Sequence, residues 1–133
     1  MPITHVIDHV QRRMETIAEG PITWADLVAH WEAEVAEGGA GYPELIVGVR
    51  ATVQFTPDNV RHLVERLRLA AQQGPLGPTA VVVQTELGFG MLRMLGMLVE
   101  PFCAIVPFHD RAAAEVWLAA HLPPSRTQGL SPP

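Results

Sequence analysis

Apolar positions along the chain change period several times, and each change marks an element. Ile3 to Asp8 and Arg12 to Ala18 are two short extended runs around a polar bend, the pattern of an antiparallel hairpin. Gly20-Pro21 then reads as a break. Trp24, Leu27, Val28, Trp31 and Val35 recur at one-face helical spacing, with Thr23 as cap, Asp26 three residues on, and Glu32, Glu34 and Glu37 off the stripe. Leu45 to Val53 is a strand. Thr56-Pro57-Asp58 opens a second helix with a cap, a proline at the first helical position and an acid in the first turn. Its inner stripe is Val60, Leu63, Val64, Leu67 and Ala71. Thr79 to Gln84 is a buried strand, Gly88 to Val99 a helix, and Phe102 to Phe108 a strand. Asp110 caps a last helix with Ala113, Val116, Trp117 and Ala120 inside.

Strands alternating with helices predict an α/β domain whose sheet is mixed but mostly parallel. It has five strands, an N-terminal antiparallel hairpin and about four helices. Trp24, Trp31, Leu63, Val82, Ile105 and Trp117 are expected to meet in one core. The domain is expected to span residues 1–122. Pro123 to Pro133, with four prolines in eleven residues, reads as a flexible tail.

Composition removes several kinds of chemistry. All nine basic residues are arginine, so Schiff-base and P-loop chemistry are not expected. The two serines, Ser125 and Ser131, lie in the tail, away from any folded nucleophile site. A net charge of −5 argues against nucleic acid. Cys103, the single cysteine, reads as a small core residue. No signal segment or membrane span is expected, and a cytoplasmic location is.

Four stretches resemble the SpoIIAA-like (STAS/SEC14-like) family of small bacterial domains. They are Ile3 to Asp8 with Arg12-Arg13, Glu19 to Leu27, Glu86 to Gly90 with Arg93-Met94, and Phe108-His109-Asp110 with Ala114 and Trp117-Leu118. The resemblance implies a compact STAS-like fold with no established chemistry. The better-known STAS relatives are anti-sigma-factor antagonists, which change partner when a serine at a strand-to-helix turn is phosphorylated. The matching turn here is Phe55-Thr56-Pro57-Asp58-Asn59 and holds no serine. Thr56 reads as a helix cap and Asp58 as a first-turn acid, so the phosphoswitch is not expected.

The candidate sites are surfaces. Around helix 88–99, Met91, Leu92, Leu95, Leu98 and Val99 fall on one side. Phe89, Met94 and Met97 fall on the other, where Arg93 is the one charge. An apolar outer face is expected to be covered by a protein partner or by a second copy of the chain as a homodimer. Arg61, His62, Arg66 and Arg68 give the second helix a basic side that either pairs with the acidic first helix or docks an acidic partner. His5, Asp8 and His9 invite a metal, but on a strand Asp8 points away from the two histidines, so no metal is expected there. His30, His62, His109 and His121 lie on separate elements, with no spacing that suggests a shared site.

The leading expectation is a non-enzymatic, regulatory interaction module that holds no cofactor. A second reading is a SEC14-like binder of a small apolar ligand between helix 88–99 and the sheet. A third is an enzyme holding a small anion or nucleotide between Gly88 and Arg93. There Gly88-Phe89-Gly90 imitates a dinucleotide turn but places Arg93 where the third glycine belongs.

Overall fold

A computed structural model describes residues 2–53 and 55–121. The tail beyond the last helix lies outside the described residues. The elements are β1 (Ile3–Asp8), β2 (Arg13–Ile22), α1 (Trp24–Ala36), β3 (Glu44–Val53), α2 (Pro57–Gln73), β4 (Thr79–Val82), α3 (Glu86–Val99), β5 (Ile105–Phe108) and α4 (Arg111–Ala120). Their order is the one the periodicity predicts. The five strands lie side by side in sequence order; β1 is antiparallel to β2 and the remaining pairs are parallel.

Local chemistry explains most boundaries. The Asp8 carboxylate accepts from the amides of Val10 and Gln11, both at 2.9 Å, and Arg12 takes a positive φ of 56°; together they turn the hairpin. Thr23 and Thr56 each make a reciprocal capping box, with Asp26 and Asn59. Thr85 accepts from the Gly88 amide, so α3 begins two residues earlier than its apolar stripe suggests. Asp110 caps α4.

β2 does not stop at Gly20-Pro21. It runs on to Ile22 and pairs Pro21 with Thr52 of β3. β1 reaches only as far as Ala18, so beyond that point β2 is an edge strand and the missing proline N–H breaks no ladder. β5 is shorter than expected, because Phe102 and Cys103 turn back onto the Val99 carbonyl.

The expected single core is two layers. Leu45, Ala80, Val82, Ala114 and Leu118 form one cluster, flanked by Val47, Val49, Phe108 and Trp117. This places α4 on one face of the sheet. Alternate strand residues face the other way. Glu44, Thr79 and Ile105 line the opposite face with Trp31 of α1 and Leu67 of α2. Val82 and Trp117 are therefore separated by the sheet from Trp31 and Ile105. Trp24 stands at the end of its layer, edge-on to Phe55 at 6.1 Å. Ion pairs Arg13–Glu115 and Arg111–Glu15 tie α4 to β2.

Two glycines are required by close approach. A Cβ on Gly77 would lie 2.1 Å from the Tyr42 carbonyl oxygen, and one on Gly96 would lie 2.3 Å from that of Ile105. The second contact seats α3 flat on β5. Replacing Thr56 by alanine removes the α2 cap and is expected to lower stability by about 1 kcal/mol, read as a shift in the urea midpoint.

Candidate functional site

Two features stand out on this frame: an exposed apolar face on α3 and a buried polar cluster between α1 and the sheet.

On α3, Gly96 and Val99 face β5, and Val99 is fully buried. This fixes the helix rotation and corrects the expected faces. Leu98, expected inside, is 50 % exposed, alongside Leu87 at 77 %, Met94 at 46 % and Met97 at 66 %. Residues 87, 94 and 98 are spaced by two and then one helical turn, so they share a side. Phe89 leaves that group: it is half-buried and stacks on His109, ring centroids 4.2 Å apart and 9° from parallel. Arg93 is exposed.

The basic side of α2 is taken up within the fold. Arg66 reaches Glu32 of α1 at 3.4 Å, while Arg61 and Arg68 pair with Asp58 and Glu65 on their own helix. His62 lies against Trp24 at 6.3 Å. Thr56 and Asp58 sit in the exposed first turn of α2, where Thr56 Oγ1 accepts from the Asn59 amide at 3.1 Å.

His5, Asp8 and His9 do not converge. Asp8 holds the hairpin turn, His9 Nδ1 meets the Tyr42 hydroxyl at 2.8 Å, and His5 points inward from β1. What His5 meets is the feature the apolar pattern hides. Its ring stands edge-on to that of His30, centroids 5.0 Å apart. His30 and Glu34 of α1 are buried, as are Thr16 of β2 and Glu44 at the start of β3. Glu34, expected off the inner stripe, is only 1 % exposed, and Val35 is 46 % exposed in its place. α1 has rolled to turn the i,i+4 pair His30 and Glu34 toward the sheet.

Glu44 is the hub. Its Oε2 accepts from the Thr16 hydroxyl at 2.5 Å and from His30 Nε2 at 3.4 Å. His30 Nε2 also lies 3.1 Å from Glu34 Oε2. Burial alone would lower the His30 pKa, but hydrogen bonds and charge from Glu34 and Glu44 outweigh it and raise it to about 9. Burial raises the Glu34 carboxyl, His30 opposes this and Glu44 adds to it, and the balance holds it up at about 8. Burial also acts to raise Glu44, but donors from His30, Glu34 and Thr16 hold it below the ordinary carboxylate value. At neutral pH the cluster is thus an imidazolium, one carboxylate and one carboxylic acid, neutral as a set. It is a proton-holding network of three ionisable groups with no buried side-chain N or O atom left unpartnered among the described residues.

A small cavity of about 30 Å³ adjoins Glu44, lined also by Met14, Trp31, Leu67 and Cys103. It has space for one or two waters. Burial pushes the Cys103 thiol up to about 11, so this cysteine is not a thiolate nucleophile at neutral pH.

No known family profile matches the chain, and no curated protein matches it. Among solved structures it is similar to an uncharacterized protein from the DUF3478 family with a SpoIIAA-like fold, from Shewanella loihica PV-4. The likeness covers 87 % of this chain and 93 % of that one at a TM-score of 0.58 and 18 % identity. The chain therefore has a SpoIIAA-like fold, as the sequence motifs imply. No helix among the described residues is long and apolar enough to cross a membrane.

Proposed function

We propose that this SpoIIAA-like domain is a non-enzymatic, regulatory protein-interaction module of the cytoplasm, and that it self-associates through α3. The exposed face of Leu87, Met94, Met97 and Leu98 carries this reading. A helix facing water ordinarily carries polar groups there. These are large, flexible apolar side chains of the kind that adapt to a partner surface. Each supplies roughly 1.5–3 kcal/mol if fully buried. Four of them on each copy offset the association cost and leave a modest dimer. A second copy of the chain is the occupant favoured, because an identical apolar face matches these four side chains while Arg93 stays exposed beside them.

Sedimentation at micromolar concentration tests the reading. The parent chain is expected to run as a dimer. The double variant Met94→Glu, Met97→Glu is expected to run as a monomer with unchanged far-ultraviolet circular dichroism, since Gly96 and Val99 still seat the helix. A monomeric parent overturns self-association, and an unfolded double variant overturns the placement of these residues on an outer face.

A further inference from the structure

The buried cluster has a second property, independent of the α3 surface. His5, His30 and Glu34 each offer a ligand atom, and all three atoms lie within 4.8 Å of one another. We propose that His5, His30, Glu34 and Glu44 form a closed four-ligand site for a divalent transition cation of the zinc class, pinning β1 and α1 to β3.

The geometry is near what such an ion demands. Two ligands held at 2.0–2.1 Å in a tetrahedron stand roughly 3.4 Å apart. His30 Nε2 already lies 3.1 Å from Glu34 Oε2 and 3.4 Å from Glu44 Oε2. The His5 ligand atom lies within 4.8 Å of those of His30 and Glu34, so it has to close by up to about 1.4 Å to reach tetrahedral spacing, while Glu44 joins the set through its contact with His30. His5 stands on the edge strand of the sheet, at the rim of the cluster. His30 and Glu34 are one helical turn apart, so α1 presents both in one direction.

The chemistry agrees with the geometry. Two imidazole nitrogens and two carboxylate oxygens are a donor set that suits zinc better than magnesium or calcium, which take oxygen ligands alone. Two carboxylates and two neutral imidazoles around a dication carry no net charge, which a buried site requires. An orienting shell is present. The Thr16 hydroxyl donates to Glu44 Oε2 and also lies 3.5 Å from Glu34 Oε2. Glu37, exposed at the mouth, bonds His5 Nε2 at 3.0 Å and places a carboxylate where an ion would enter.

Cobalt(II) is the direct probe, since a four-coordinate site gives intense visible absorption. Protein stripped with a chelator is expected to take up one cobalt per chain with that spectrum, and zinc is expected to displace it. His5→Gln leaves Thr16, His30, Glu34 and Glu44 in place, so its fold should be preserved, and its own metal-free melting temperature is the reference for the effect of zinc. Its cobalt affinity should fall at least about 100-fold, the upper end of the cost of losing a merely orienting partner. Zinc should raise the melting temperature of the parent but not of this variant. His9→Gln, which alters the nearby surface histidine, should change neither affinity nor spectrum. No stoichiometric uptake overturns the proposal. So does a His5→Gln protein that binds as the parent does, or a His9→Gln protein that fails to bind.

Discussion

His30→Leu is expected to destabilise the metal-free protein by about 3–5 kcal/mol, the usual cost of removing one member of a buried ion pair. Leucine fills a similar volume, so little of this is a cavity. The cost arises at Glu44, whose carboxylate is buried and bonded to His30 and Thr16. Without the imidazolium, a buried negative charge keeps only neutral donors. It then either stays ionised at high cost or takes a proton and loses the charge-assisted bonds. Adding Glu44→Gln to His30→Leu should recover part of the loss, because the second change removes the stranded charge. Urea midpoints at constant slope would read both effects. An unshifted midpoint for His30→Leu would show that the network contributes nothing to the fold.

The same three groups set an unusual pH dependence in chelator-treated protein. His30 is raised from 6.5 to about 9 and Glu34 from 4.5 to about 8. In both cases the folded state holds a proton that the unfolded state releases earlier. The stability from Glu34 is fully present below pH 4.5 and is lost as pH rises through about 8; that from His30 is present below pH 6.5 and is lost through about 9. Glu44 acts in the opposite sense. Its pKa is lowered, so its contribution is present above 4.5 and is lost as pH falls through its folded value. Stability should therefore peak in mildly acidic solution and fall by on the order of 3 kcal/mol between pH 6 and 9. A denaturation series across that range would show the decline. A flat profile, or one rising toward pH 9, would mean that neither Glu34 nor His30 holds its proton more tightly in the fold than in the unfolded chain.

The sequence made the frame legible and hid the cluster, for one physical reason. Strands and helices announce themselves through apolar period, and the caps at Thr23, Thr56 and Asp110 through local hydrogen bonding; these signals are short-range. The roll of α1 is not. Its apolar stripe points toward Val35, yet the helix turns by a fraction of a turn so that Glu34 can meet Thr16, and Val35 is left half in solvent. The partner that drives this lies on another strand. Two marks were present: His30 and Glu34 are spaced by four, and Glu44 is a lone acid opening the apolar run Leu45 to Val49. The rotation of α3 was misread in the same way. Gly96 against Ile105 decides it, and that contact is between elements.

Sequence-ordered strands have a kinetic consequence for the buried cluster. Thr16, His30, Glu34 and Glu44 all belong to the unit β2–α1–β3, and the hydrogen bond from Thr16 to Glu44 closes a span of 28 residues. Closure entropy grows only slowly with the length of the loop, so this span is a modest search compared with joining the ends of the chain. The network's hydrogen-bonding groups all come from this unit, while Leu67, Thr79 and Ile105 supply cover from α2, β4 and β5. Its charges are costly, however, until water has been expelled around them. Once formed, it commits β3 to the register in which Glu44 faces α1 and Leu45 faces the other way. The face of β3 that α4 covers is specified by the same choice of register.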